Sequence, residues 1–174
     1  MPCIQTLSGI ARDCASNMGG ILEVLLANKS EVTTTITSGK VTAIAMTSSA
    51  KFHKYQFAPE TASMSSNFQV NAQNGTKYVQ TDLLLVFNRM ETAKRVEVVA
   101  MAQGELVAIV KDGNGLYWFL GNDEPLVLSA GDGLTGTARA DRNGYSATLQ
   151  DNSLELPYEV LVGDGGVDLD AITA

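Results

Sequence analysis

The stretch that decides the fold is residues 61–87, which read TASMSSNFQVNAQNGTKYVQTDLLLVF. Polar, uncharged residues occupy its odd positions up to residue 71, while Ala62, Met64, Phe68 and Val70 are among the even positions. A period of two is typical of a strand with one buried and one solvated face. This segment therefore predicts a strand rather than a helix.

A tight turn follows that strand. Asn74-Gly75 tolerates the positive φ angles of a two-residue hairpin turn, and the chain returns through residues 76–87 with apolar residues on one side. Counted back to Lys51, the pattern predicts a long hairpin over 51–88, interrupted at Pro59, which cannot donate a ladder hydrogen bond. A ribbon of this length is not stable alone, so we expect it to lie on other structure.

The polar face of this hairpin is the candidate functional surface. Strands that face bulk water usually carry Lys and Glu, partly to prevent edge association. Ser, Thr, Asn and Gln here suggest instead a hydrated passage or a contact with a neighbouring subunit, although a plain solvated ribbon is the alternative. The candidate interface or lumen residues are Lys51, His53, Tyr55, Thr61, Ser63, Ser65, Asn67, Gln69, Asn71, Asn74 and Lys77.

The chain before the hairpin predicts an irregular arm and two strands. Residues 1–20 read as an N-terminal arm, Ile21–Ala27 as a buried strand and Lys40–Met46 as a second strand. The intervening segment, Lys29–Gly39, reads as a polar loop with room for one helical turn.

One helix is expected over residues 89–103. Asn88 is a candidate N-cap with Glu91 three residues later, and Gly104 is a natural stop. The residues at helical spacing that we expect to face the core are Ala93, Val96, Val99 and Ala100.

Two similar hairpins are predicted after the helix, each turning through an Asp-x-Asn-Gly motif. The first joins Leu106–Val110 to Leu116–Leu120, and the second joins Gly133–Ala140 to Tyr145–Gln150. Residues 151–174 form an acidic C-terminal segment, with one expected strand at residues 158–162 and a tail expected to be loose in the monomer.

Composition indicates one domain with a weakly charged surface. The 174 residues fit a single domain, and charged residues make up 18%, below the usual share of about 25%. The net charge of −7 divides unevenly, with the carboxylates concentrated after residue 90, which argues against a nucleic-acid or anionic-membrane footprint. Short apolar runs predict no membrane-spanning segment. The opening residues lack signal-peptide features, so we expect synthesis in the cytosol with Cys3 and Cys14 reduced.

No motif points to catalysis, a cofactor or a metal. His53 is the one histidine and has no partner context for a nucleophile, and two cysteines with one histidine cannot complete a usual zinc site. The GDGLTG stretch at residues 131–136 matches a dinucleotide fingerprint in letters, but a β-rich stretch follows where that fingerprint requires a helix. The Asp-rich turns lack the spacing of a calcium loop. We expect a protein that is not an enzyme and has no cofactor.

The chain resembles the tube-forming proteins of phage tails, a fold group that includes the tube protein of type VI secretion systems. The resemblance extends over residues 21–149 and depends on the hairpin 51–87, the helix 89–103, the segment KDGNGLYWFLG at residues 111–121 and the DRNGY turn at residues 141–145. It implies a mainly β, sandwich or barrel-like protomer with one flanking helix and a long hairpin.

The resemblance also implies a function and partners. Such subunits form a closed ring, commonly a hexamer, and rings stack into a tube in the virion tail, with other tail proteins, through which DNA passes without specific binding. An acidic lumen would follow if the carboxylates after residue 90 face inward. The alternatives are a type VI-like tube, a head–tail connector or a capsid decoration protein and, in another class, a small ligand-binding β-barrel or a hydrolase.

Overall fold

The computed structural model describes residues 7–47 and 49–174, which are mainly β, with 50% of residues in strands and 11% in helices. The strands are β1 Ile21–Asn28, β2 Val32–Thr37, β3 Lys40–Met46, β4 His53–Gln56, β5 Ser63–Asn71, β6 Thr76–Asn88, β7 Leu106–Asp112, β8 Tyr117–Leu120, β9 Val127–Leu134, β10 Gly144–Ser153 and β11 Tyr158–Val160. The helices are α1 Thr92–Gln103 and the short α2 Leu169–Ile172, and a 3-10 turn spans Lys29–Glu31.

These strands form two sheets. A seven-stranded sheet has the order β2-β3-β11-β8-β7-β1-β4, and a four-stranded sheet has the order β5-β6-β10-β9. Neighbouring strands are antiparallel except for β3 and β11, which pair in parallel. The prediction of a mainly β protein is therefore confirmed. The expected architecture was a sandwich or barrel-like fold, and the structure has two sheets.

The long hairpin is shorter than predicted. β5 pairs with β6 from Ser63 opposite Leu84 to Asn71 opposite Thr76, and Gly75 has the positive φ of 73° expected in the turn. The predicted first part of the hairpin instead contributes β4, which pairs with β1 at the edge of the seven-stranded sheet. The prediction of one hairpin over 51–88 is wrong in this part, because the segment around Pro59 crosses from one sheet to the other.

Two apolar clusters cover both faces of the seven-stranded sheet. β1 and β7 each send alternate side chains to opposite sides, so Leu26 and Ala108 pack towards the four-stranded sheet while Leu25 and Ile109 pack on the far side. All four are buried. A strand buried on both faces reads as a continuous apolar run rather than an alternating one, as the sequence of β7 does.

The far cluster is covered by the end of the chain, contrary to the expectation of a loose tail. Val167 is 4% exposed, and the peptide groups of Phe52 and the last residues exchange hydrogen bonds: Phe52 N–H donates to the Ile172 oxygen at 2.8 Å, and Ala174 N–H donates to the Phe52 oxygen at 2.9 Å. The tail is held because its apolar residues close this second core.

Helix α1 begins later than predicted and presents the opposite side. Its first residue is Thr92, since Arg89 adopts a left-handed φ of 65°. Met101 is the residue that α1 buries, whereas Val96 and Val99 remain 52% and 45% exposed. The predicted core-facing stripe is thus on the solvent side, which sequence spacing could not reveal because α1 is apolar on more than one side.

Two smaller differences concern loops and strand bounds. The predicted polar loop at residues 29–39 holds β2, whose alternating Thr residues pair with β3. The second late hairpin is shifted, because β9 ends at Leu134 and residues 135–143 connect it to β10. Of the N-terminal arm, residues 7–20 have no helix or strand, and residues 1–6, with Cys3, lie outside the described residues.

Candidate assembly surface

One face of the four-stranded sheet is polar and almost uncharged. In an antiparallel pair, residues directly opposite each other project to the same side, so the register defines the face. We call it the polar face; its residues on β5 and β6 are Ser63, Ser65, Asn67, Gln69, Asn71, Thr76, Tyr78, Gln80, Asp82, Leu84 and Val86, and those on β10 and β9 are Ser146, Thr148, Gln150, Asn152, Val127, Ala130 and Asp132.

The two carboxylates of the polar face are both engaged. The side-chain amide of Gln150 donates to Asp82 Oδ1 at 2.8 Å, and that of Gln80 is 3.3 Å from Asp82 Oδ2. Asp132 forms an ion pair with Arg142, and hydrogen bonding, chiefly from Ser146, holds the pKa of Asp132 below its usual value. The face therefore presents mainly amides and hydroxyls, and Asp82 is its one carboxylate that forms no ion pair among the described residues.

The structure groups some of the predicted residues and separates others. Ser63, Ser65, Asn67, Gln69 and Asn71 lie together on the polar face, as their odd spacing predicts. Thr61 precedes this strand and donates from Oγ1 to the Ala58 oxygen at 2.7 Å, and Asn74 stabilises the turn by accepting from Thr76 Oγ1 at 2.8 Å.

The remaining predicted residues lie elsewhere. Lys51, His53 and Tyr55 belong to the segment that joins the seven-stranded sheet, where Lys51 donates from its ammonium to the Ala171 oxygen and Tyr55 donates to Glu97 Oε2 at 2.6 Å. Lys77 pairs with Val70 and so projects from the opposite side of the hairpin. These four residues therefore lie off the polar face, because local spacing does not specify which sheet a segment joins, and their role at a subunit interface stays a prediction.

Sequence reasoning missed the contribution of β10. Gln150 pairs with Asp82 and Asn152 with Gln80, so the polar face continues across three strands. The available signal was the alternation in β10 itself, where Ser146, Thr148 and Gln150 alternate with buried Ala147 and Leu149. The alternating patterns of β5 and β10 form one face only because both strands pair with β6, and the sequence does not show which strands pair.

The tip of the hairpin projects beyond the core. Phe68 pairs with Val79 on the side that faces the seven-stranded sheet, yet Phe68 is 67% exposed and Val70 is 61% exposed. We call this exposed pair the overhang. Large apolar side chains that point towards a core but find no cover are typical of a surface that a partner buries.

Both edges of the four-stranded sheet lack the usual protection. β5 and β9 are its outermost strands, and β5 contains neither a charged residue nor proline. The charged residue of β9 is Asp132, which forms an ion pair with Arg142. Natural edges are normally protected by charges, proline or covering structure. Here neither edge strand pairs with a further described strand, although α1 lies close to β9.

The carboxylates of the second half are divided: Asp132 lies on the polar face, and Asp123 and Glu124 line a surface cavity with Tyr78 and Asn152 of that face. Asp151 points to the core at 4% exposure, and the acids of residues 164–170 lie with the tail on the far side of the seven-stranded sheet. A passage lined by the polar face would be hydrated and would carry few charges: Arg142 offsets Asp132, while neutral amides alone contact Asp82.

A buried polar junction links the two sheets at one end. Lys29 donates from Nζ to the oxygens of Gly121 at 2.6 Å and Asn122 at 2.5 Å, and Asp151 Oδ2 accepts from the Gly121 N–H at 2.9 Å. Burial lowers the pKa of Lys29, against the opposing effect of Asp123 and Asp151. Burial likewise raises the pKa of Asp151, whose Oδ1 has no hydrogen-bond partner among the described residues.

This junction offers little room for a ligand. The adjoining cavity has a volume of about 10 Å³, roughly that of one water molecule. In the part of the chain that the structure describes, no three His, Cys, Asp or Glu side chains are grouped so as to share a metal ion. Nor does either described helix have the length and apolar character needed to cross a membrane.

Comparison of the chain with protein-family models, with curated proteins and with solved structures gives no match.

Proposed function

We propose that this chain is a structural subunit of a phage-type tail tube, in which copies join into rings and stacked rings form a conduit for DNA. The observation that carries this proposal is the polar face with few charges, bounded by two strand edges that pair with no further described strand. The resemblance of the sequence to tube-forming proteins points to the same function.

The strand directions suit ring closure. Successive strands in the order β5-β6-β10-β9 are antiparallel, so β5 and β9 run in opposite directions. When β9 of one subunit lies beside β5 of the next, that pair is antiparallel as well, and one continuous sheet results. A closed sheet satisfies the open backbone groups of both edges, which an isolated subunit leaves to water.

The polar face suits the inner wall of such a ring. Proteins bind DNA largely by neutralising phosphates with Lys and Arg, which releases counterions. The register places no lysine or arginine of the described strands on the polar face. Amides and hydroxyls keep the wall hydrated without holding the phosphates, so DNA can slide.

The overhang suits a contact between subunits. Phe68 and Val70 project from the hairpin tip on the side away from the polar face. In a ring or stack, a neighbouring subunit would cover them without obstructing the passage. Burying one large apolar side chain is worth about 1.5–3 kcal/mol, enough to shift assembly at micromolar concentrations.

The proposal is tested by negative-stain electron microscopy and light-scattering mass over a range of concentrations. We expect annular particles or hollow tubes whose mass is a multiple of 18.4 kDa. Assembled particles should also leave duplex DNA unshifted in a gel assay at low salt. A particle of 18.4 kDa at every concentration would overturn the proposal.

A further inference from the structure

The two edge strands of the four-stranded sheet are staggered along the strand direction. β5 lies beside β6 from Thr76 to Leu84. Through β10, β9 lies level with β6 from Asp82 to Asn88. The two edges therefore overlap in level only at residues 82–84 of β6, and the sheet is sheared.

The overhang lies where the sheared sheet is narrowest. Phe68 pairs with Val79, and Val70 pairs with Lys77. β9 begins only at the level of Asp82 and extends away from the hairpin tip. Three strand spacings, about 14 Å, also separate β5 from β9. The β9 of the same chain therefore cannot cover the overhang.

We propose that β9 of one copy pairs with β5 of the next in a single register, which sets Phe68 opposite Gly131 and Val70 opposite Leu128. The proposal rests on the proposed function and specifies the joint between two subunits. The joint is heterologous, because each subunit contributes one β5 edge and one β9 edge, so it closes into a ring by repetition.

This register displaces the neighbouring copy along the strands by an amount that suits a closed sheet. Phe68 is level with Val79 of β6, and Gly131, through Ala147, is level with Leu85. The six residues between these levels span about 20 Å, and the four strands of one subunit are about 19 Å across. Strands in a ring built from this step tilt by about 45° from its axis, at the upper end of the 35–45° typical of closed β-barrels.

The side chains of the two edges are complementary in this register. Gly131 and Leu128 lie on the core side of β9, opposite buried residues of β10. Ser129 is left over where the register of β9 shifts, so Val70 reaches Leu128 after Phe68 has reached Gly131. Aromatic side chains stabilise edge strands by covering glycine, which has no side chain of its own. The overhang then extends the core that Leu128 already borders.

Other registers fit less well. A shift by an odd number of residues would turn the polar face towards the core. A shift of two residues in one direction sets Phe68 opposite Gly133, where the ring of Tyr145 already lies 3.0 Å from the position of an added Cβ. A shift of two in the other direction sets Phe68 opposite Leu128 and leaves Val70 beyond the end of β9.

A disulfide scan of the joint tests the register. All variants have Cys3→Ala, Cys14→Ala and Ala130→Cys, and each adds Gln69→Cys, Asn67→Cys or Asn71→Cys. The proposed register sets position 69 opposite position 130, and the two alternative registers set position 67 or 71 there. Within one subunit these positions are three strand spacings apart, about 14 Å, whereas a disulfide needs Cα atoms within about 7 Å. Any disulfide therefore joins two copies.

We expect the Gln69→Cys variant to cross-link efficiently after assembly and mild oxidation. Directly opposite Cα atoms are about 4.5–5.5 Å apart, within the range of a disulfide. A non-reducing gel should show a ladder of covalent multimers that ends at the closed ring. The matched Asn67→Cys and Asn71→Cys variants should remain mainly monomeric on the same gel.

Amide hydrogen exchange of the native protein provides a second measurement that needs no substitution. In the proposed register Ser65 lies opposite Leu134 and Asn71 opposite Val127, the two ends of β9. The N–H groups of residues 65–71 that point away from β6 should exchange more slowly once particles form. Unchanged exchange of these groups in assembled particles would overturn the strand pairing.

The outcomes separate the register from the proposed function. Rings or tubes in which position 67 or 71 gives the main ladder, or in which no pair cross-links, overturn the register and leave the tube standing. A ladder from position 69 without rings or tubes supports the pairing and overturns the tube. A protein that neither assembles nor cross-links overturns both.

Discussion

The carboxylate of Asp151 accepts a hydrogen bond of 2.9 Å from the main-chain N–H of Gly121, which joins the four-stranded sheet to the end of β8 in the other sheet. Ser153 Oγ is 3.3 Å from the same carboxylate oxygen. This contact holds the two sheets together at the end of the sandwich that is farther from the start of α1. Apolar packing alone would leave the Gly121 N–H there without a hydrogen-bond partner.

Asp151→Asn should alter how stability depends on pH. Burial raises the pKa of Asp151 above 3.8, so its contribution to folding is greatest when it is protonated, below 3.8, and declines as the pH rises through the folded-state pKa. Asparagine cannot ionise. The stability of the variant relative to the native protein should therefore increase from acid towards neutral pH, as measured by urea unfolding. Asp164→Asn, on the exposed tail, is the control, and a pH-independent difference would contradict the prediction.

Gly121→Ala should destabilise the fold more than Gly115→Ala. Both glycines have left-handed φ angles, 83° and 85°, which cost a non-glycine residue about 1–2 kcal/mol. At Gly121 the added Cβ would also lie 3.0 Å from the Leu106 oxygen, whereas Gly115 has open space. We expect an additional loss of about 1–3 kcal/mol at Gly121 in denaturant unfolding. Equal losses would show that the close approach is absent.

Leu83→Ala and Leu84→Ala should differ sharply, although the residues are adjacent. Leu83 is fully buried between the sheets, and Leu84 projects from the polar face opposite Ser63. Truncating Leu83 should cost about 2–5 kcal/mol of unfolding free energy. Truncating Leu84 should cost about 1 kcal/mol or less. The reverse order would mean that the register of β6 is shifted by one residue.

Phe68→Ala should weaken assembly without destabilising the subunit. Phe68 is 67% exposed in the monomer, so its loss should change the unfolding free energy by about 0.5 kcal/mol or less. If a neighbour buries it, the concentration at half-assembly should rise by about tenfold or more. Leu22→Ala, at a 54% exposed position on β1, is the matched control for light scattering. An equal effect of both variants would argue against a contact at the overhang.

Local patterns predicted the elements that depend on neighbouring residues in the chain. The alternation in residues 61–71 corresponds to β5, and the Asn74-Gly75 pair corresponds to the turn, because both signals arise within a few residues. The apolar runs at residues 21–27 and 106–110 correspond to β1 and β7 for the same reason.

The misassigned features share a physical cause. β4 reads as a continuation of the hairpin, and the stripe of α1 containing Val96 reads as a core face, because spacing describes an element but not the surface it meets. The tail reads as loose because it is acidic and rich in glycine, yet Val167 packs into a core formed by strands far away in the chain.

The sequence by itself determined that this protein is mainly β, that its hairpin has one polar side with few charges, and that it has one substantial helix. Those properties follow from side-chain type and from the backbone period of two or 3.6 residues. Only the tertiary structure decided that β10 extends the polar face, that Phe68 overhangs the core, and that α1 turns its uncharged side to solvent. These outcomes depend on which distant strands pair and which surfaces remain uncovered, and strand pairing is a long-range balance of burial against chain entropy that no local window of sequence contains.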